Sequence, residues 1–232
     1  MAVNKISIRP ISHVKQLFVR KGRRPHKVPC GLFRGLTLLL DLQTQTQLYL
    51  GLWERETHKY IKEAARTCEW VVDVGAGKGE LCLYFLKSSK AARIWAFEPQ
   101  TAETDIFWRN LALNGEQDTA RITISNKFVG TKMDSNHIQL DSLQVETNNL
   151  GFLKIDVDGK EVDVLKSGEL LLSHNQVCVL VETHSRQLEE ECVDLLTLWG
   201  YTVLIVKNAW WRFIIPEQRP CPHNRWLWAR RA

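Results

Sequence analysis

From residue 70 onward the chain alternates between two apolar patterns. Short, nearly continuous apolar runs are followed by stretches in which apolar positions recur every three or four residues. The runs WVVDVGA (70–76), RIWAFEP (93–99), RITISNKFVG (121–130), GFLKIDVDG (151–159), VCVLVETH (177–184), TVLIVKN (202–208) and RWLWAR (225–230) predict seven strands. The periodic stretches predict helices over 79–90, 101–115, 161–174 and 186–201. Thr101 is the expected N-cap of the second, and Gly115 closes it. Strands without polar alternation are buried on both faces, which implies a parallel sheet between two helical layers. Right-handed crossovers then favour a doubly wound α/β sheet, Rossmann-like and mostly parallel. No helical pattern separates the last two strands, so they form an antiparallel C-terminal hairpin. Before residue 70 the alternation within LTLLLDLQTQTQLYL (36–50) predicts one or two short strands in a flap. A helix is expected over 54–66. Pro10, Pro25 and Pro29 break any helix in the first thirty residues. The expected organisation is a basic lead-in at 1–30, a flap at 31–66 and a Rossmann-like domain at 67–232.

The junction VVDVGAGKGELCLYF (71–85) joins a strand, a bare backbone turn and a helix start. In an open α/β sheet this is where ligands bind. Gly75, Gly77 and Gly79 let a ligand approach the backbone, and the helix start offers free N–H groups. Asp73 and Glu80 oppose a polyanion there. The G-x-G-x-G spacing also departs from the dinucleotide pattern. An acid beside the turn suits a ligand with a cationic amino-acid part, and S-adenosylmethionine has both an ammonium and a sulfonium. Glu98 ends the second strand, where a carboxylate can accept both ribose hydroxyls.

These residues, with GLWERET (51–57), AFEP (96–99), RNLALNG (109–115), LDSL (140–143), GFLKIDVDGKEVDVLKSG (151–168) and VLVETH (179–184), resemble the FkbM-like family of class I S-adenosylmethionine-dependent methyltransferases. The resemblance covers about residues 45–205. Lys78 stands where the family often has Asn, and Asp158 where it often has Glu. Lys78 is expected to add a cation near the amino-acid end of the cofactor. The resemblance implies an O-methyltransferase acting on a hydroxyl of a sugar or small molecule. It places S-adenosylmethionine against Asp73, Gly75, Ala76, Gly77, Gly79, Glu80, Glu98, Pro99 and Asp156, with Asn126 at the adenine edge.

In the class I strand order the strands ending at 156–158 and 182–184 are neighbours. Asp156, Asp158, Glu182 and His184 are therefore expected to converge. Methyl transfer to a hydroxyl needs an in-line nucleophile and a proton acceptor. Asp156 or His184 is the candidate general base, with Glu182 orienting the imidazole. The same four residues are also a plausible ligand set for a divalent cation such as Mg²⁺ or Mn²⁺. Glu161 reads as a cap of the following helix. Glu54, Glu56 and Asp158 are candidate acceptor-side residues, and His58, one turn after Glu54, shares that reading. Trp210 and Trp211 adjoin in a turn, where at least one is expected to be exposed to an acceptor or partner. Trp70, Trp95, Trp108 and Trp199 read as core.

Composition changes this picture only at the ends. The 232-residue chain is 44% hydrophobic and 25% charged, an ordinary globular balance. Its net charge of +5 is uneven. Residues 1–60 hold eleven Lys/Arg against three Asp/Glu (+8), residues 207–232 six against one (+5), and the remainder sums to −8. The run VRKGRRPHKV (19–28) makes a nucleic-acid methyltransferase the alternative reading, and a cofactor-binding interaction protein without turnover is a third. No apolar run reaches membrane-spanning length, and the first thirty residues lack a signal-peptide core, so a cytoplasmic location is expected. Six scattered cysteines without a CxxC pair indicate neither a zinc knuckle nor a disulfide framework.

Overall fold

The computed structural model describes residues 21–116, 120–145, 149–209, 212 and 223–231. Trp210 and Trp211 lie outside the described residues, as does most of the basic lead-in. Near the start, β1 (Arg24–Lys27) pairs antiparallel with β2 (Thr37–Leu40). This strand falls inside the segment expected to be an unstructured arm. The predicted alternation over 36–50 stops at Leu40, and Thr46–Tyr49 form a single helical turn, α1, instead of a second strand. A 3-10 turn, Arg55–Thr57, leads into α2 (His58–Thr67). His58 starts that helix and its Nε2–H donates to the Trp53 carbonyl (3.0 Å). Burial lowers the His58 pKa to about 4.

The domain then proceeds through β3 (Trp70–Val74), α3 (Glu80–Ser88), β4 (Arg93–Phe97), α4 (Thr101–Leu113) and β5 (Ile122–Ser125). The long third run is broken, because β6 (Phe128–Val129) leaves the main sheet to pair with β7 (His137–Ile138). Next come β8 (Gly151–Ile155), α5 (Glu161–Lys166) and α6 (Glu169–His174), the predicted single helix being split before Glu169. The chain continues with β9 (Val177–Thr183), α7 (Arg186–Leu198), β10 (Tyr201–Val206) and β11 (Arg225–Arg231).

Seven strands build the main sheet in the order β10-β11-β9-β8-β3-β4-β5. The five from β9 to β5 are mutually parallel. β11 runs antiparallel to both neighbours, so the predicted hairpin exists, with its second strand inserted against β9. Period-two alternation divides the sheet between two cores. Val71, Ile94, Phe152 and Leu180 face one layer, while Val72, Trp95, Leu153 and Val179 face the other. Val28 of the lead-in and the flap residues Leu38 and Leu40 join the first core, so both segments pack on the domain. Trp70, Trp95 and Trp199 are buried, but Trp108 is 46% exposed on α4, against expectation. Arg225 clamps β11 to α7 through both oxygens of the buried Glu189, with Nε to Oε2 at 2.6 Å. Among the described residues no helix is long and apolar enough to cross a membrane.

Candidate active site

The C-terminal ends of β3, β4 and β8 open onto a cavity of about 770 Å³. Gly75, Glu98, Pro99, Asp156 and Asp158 line it, together with Gln100, Val157 and the β5–β7 segment around Phe128. The glycine turn is held to β4 by its own backbone. Gly75 N–H and Ala76 N–H both donate to Phe97 O (2.9 and 3.0 Å). Gly75 has φ +80°, and a Cβ there would lie 1.9 Å from Asp156 O, so the turn and the end of β8 touch backbone to backbone. Gly77 has φ +52° with open space above it. A Cβ on Gly79 would strike the Phe107 ring, so that glycine answers to helix packing.

Glu98 is buried and ties the turn to the second strand. Its Oε2 accepts from Gly77 N–H (3.0 Å) and its Oε1 from Gln100 N–H (2.9 Å). Asn126 donates its amide to Glu98 O and Thr104 Oγ1 (2.9 and 3.0 Å), which fixes it beside that acid. Glu80 stands in the first turn of α3, where burial raises its pKa. The Lys78 ammonium pairs with Glu103 at 2.7 Å, so the extra cation expected at the cofactor's amino-acid end is engaged elsewhere.

Asp73 does not reach the cavity wall. It is fully buried within β3, accepts the Cys82 thiol (3.3 Å) and faces Lys154, its register partner on β8 (3.5 Å). Lys154 is the residue that sequence reasoning missed. Its Nζ also donates to Asp156 Oδ2 (3.1 Å) and Gly75 O (3.3 Å). Burial by itself would lower the Lys154 pKa, but Asp156, Asp73 and Glu54 reverse this and raise it. Burial likewise raises the pKa of Asp73, against the pull of Lys154. Glu54 of the flap, in a left-handed conformation at φ +47°, is thus close enough to be felt at the site. Glu56 is committed to a buried ion pair with Arg212.

Next to Asp156, β8 and β9 bring the expected cluster together. Asp156, Glu182 and His184 each offer a ligand atom within 4.8 Å of the others. His184 Nε2 lies 3.4 Å from Asp158 Oδ1 and 4.0 Å from both Asp156 Oδ1 and Glu182 Oε2. The expected orienting contact from Glu182 is replaced. His184 Nδ1 is 2.5 Å from Oε1 of Glu161, a fully buried residue in the first turn of α5. This hydrogen bond is the main cause of a raised His184 pKa, and burial opposes it.

The sheet order is that of the Rossmann-like α/β methyltransferase fold. Within that class, a model of the methyltransferase FkbM domain matches residues 114–204, which include Lys154, Asp156, Glu161, Glu182 and His184, and the resemblance seen in the sequence is borne out. Solved structures share the fold at low identity. Methyltransferase FkbM from Methylobacillus flagellatus KT is 17% identical with a TM-score of 0.55; the match covers 79% of this chain and 54% of that one. Against TYW2 of M. jannaschii, solved in complex with AdoMet, the figures are 13%, 0.54, 92% and 88%. For a precorrin-6y C5,15-methyltransferase from Geobacter metallireducens GS-15 they are 14%, 0.52, 76% and 89%. The comparison with curated proteins gave no match.

Proposed function

We propose that this methyltransferase acts on a hydroxyl of a sugar or small molecule, with His184 as the base. The carrying observation is an imidazole whose Nδ1 is occupied by Glu161 while Nε2 faces Asp156 at the cavity's edge. A hydroxyl must lose its proton to become a competent nucleophile, and Nε2 is the atom free to take it. Asp156 and Glu182 then face the imidazolium that forms.

The donor set fits the cofactor. Around Lys154 stand three carboxylates, Asp73, Asp156 and Glu54, so the region has an excess of negative charge for a cationic ligand. The Gly75–Gly79 turn would take the amino-acid end, Glu98 the ribose, Pro99 and Val157 the flanks of the adenine, and Asn126 its edge. Bound there, S-adenosylmethionine supplies a methyl group on a sulfonium leaving group. The chain's own part is to orient the acceptor, hold Asp156 through Lys154 and receive the hydroxyl proton.

A second reading is favoured by the three ligand atoms within 4.8 Å of one another. Asp156, Glu182 and His184 would hold a divalent cation that acidifies the acceptor hydroxyl. The nucleic-acid alternative draws on the basic ends and on Trp210 and Trp211, and a steep salt dependence of RNA binding would support it.

A screen with methyl-labelled donor against pooled glycans, metabolites and RNA tests the acceptor class. Labelled glycan or metabolite supports the hydroxyl reading, and label confined to RNA overturns it. Full turnover by His184→Asn removes the base role. Activity that survives dialysis against a chelator removes the cation.

A further inference from the structure

We propose that Glu161 is the positioning residue for His184: its buried carboxylate fixes the proton on Nδ1 and leaves Nε2 as the bare, reactive nitrogen. The inference deepens the reading of His184 as the base, and its effect on turnover rests on that reading.

A neutral imidazole carries one proton, on one of two nitrogens, and the hydrogen-bond partners decide which. An ionised carboxylate only accepts. With Glu161 Oε1 at 2.5 Å from Nδ1, the proton belongs on Nδ1. Glu161 is in turn anchored from a second side, because the same oxygen accepts from Gly159 N–H (3.2 Å). The other oxygen, Oε2, is buried and has no hydrogen-bond partner among the described residues.

That arrangement is expensive for a helix-start glutamate. An acid in the first turn of α5 satisfies backbone donors equally well from a solvated position, yet Glu161 is fully buried. Burying a carboxylate costs free energy that packing alone does not return. Beyond the Gly159 N–H of its own loop, its carboxylate reaches His184, 23 residues further on, and that contact accounts for the burial. The ring is caught from behind by Glu161 and faces Asp156, Asp158 and Glu182 in front. None of those three comes closer than 3.4 Å to Nε2, so none competes with Glu161 for the ring's orientation.

The test is long-range ¹H–¹⁵N spectroscopy of the full chain labelled with ¹⁵N-histidine, at a pH where the ring is neutral. His184→Asn assigns the signal. The proposal expects His184 with a protonated Nδ1 and a bare Nε2. In Glu161→Leu the acceptor for Nδ1–H is gone while Asp156, Asp158 and Glu182 still face Nε2, so the proton is expected to move to Nε2. Adenosylhomocysteine should bind Glu161→Leu as it binds the wild type, which reports an intact fold. A wild-type spectrum with the proton on Nε2 overturns the proposal, and so does a Glu161→Leu spectrum identical to wild type. If Glu161→Leu does not fold, the wild-type spectrum alone decides. Full activity of His184→Asn would sink the base role while leaving the tautomer assignment standing.

Discussion

The glycine turn invites a paired substitution, because Gly75 and Gly77 share a left-handed backbone for different reasons. At Gly75 the added methyl of alanine starts 1.9 Å from Asp156 O, whereas Cβ atoms keep at least 3.0 Å from such neighbours. The two backbones must therefore part by about 1.1 Å, the difference of those distances. They cannot do so freely: Asp156 N–H donates to Val74 O (3.0 Å), and β8 is gripped between β3 and β9. Left-handed strain of about 1–2 kcal/mol adds to an overpacking cost of about 1–3 kcal/mol. A total near 3 kcal/mol corresponds to a fall in Tm of roughly 6–12 °C for a domain of this size. At Gly77 nothing lies within 4 Å of the new methyl. Only the strain remains, so Gly77→Ala should lose about 1 kcal/mol and roughly 2–4 °C. Its methyl stands instead over the turn proposed to take the cofactor's amino-acid end, and adenosylhomocysteine affinity should drop at least about tenfold. Thermal unfolding and titration calorimetry with adenosylhomocysteine separate the two effects. A Gly75→Ala protein with wild-type Tm would refute the backbone-contact argument. A Gly77→Ala protein that binds as wild type would refute the placement of the ligand.

Three further outcomes are expected. Lys154→Met removes the cation facing Asp73 and Asp156, and stripping one side of a buried ion pair costs about 3–5 kcal/mol before any protonation relieves it. An acid whose folded pKa is raised loses stability as pH rises, so urea unfolding should show a larger deficit for this variant at pH ~8 than at pH ~5. His58, with its pKa lowered from 6.5 to about 4, stays neutral in the fold while the unfolded chain protonates. Stability should therefore fall by up to about 3 kcal/mol as pH drops from 6.5 to 4, and His58→Gln should flatten that slope in acid denaturation. Arg225→Ala leaves the buried Glu189 facing His223, 3.4 Å away, without its guanidinium clamp and should cost about 2–3 kcal/mol in chemical denaturation, with Arg225→Lys in between because it cannot bind both oxygens.

The parallel strands were legible because they are buried on both faces; all five residues of β3 are buried, and its run is continuous in the sequence. The acids at strand ends were legible because period-two alternation and strand adjacency place them on one side. What escaped was decided by tertiary contact. Lys154 sits in an apolar run, where its long stem packs along the sheet and only its tip reaches the site. Glu161 and His184 belong to separate elements, and no local periodicity joins them. The alternation at 40–50 resembled a strand, yet among the described residues nothing pairs with it beyond Leu40, and Leu48 is buried from a helical turn instead. Trp108 shows the same limit from the other side: an aromatic on a helix is no proof of burial.

The placement of β11 sets an order of assembly. Residues 225–231 follow β10 in sequence but lie between it and β9. β10 thus has no seat until the later segment has docked. Until then the rim of β9 that carries Glu182 and Thr183 stays uncapped, and it is sealed only when Trp226 and Arg225 come alongside. An intermediate stalled at that stage would present an open parallel edge of apolar residues, a template for joining another molecule. Completion of the corner that carries Glu182 and escape from aggregation are therefore one event, timed by the arrival of a single strand.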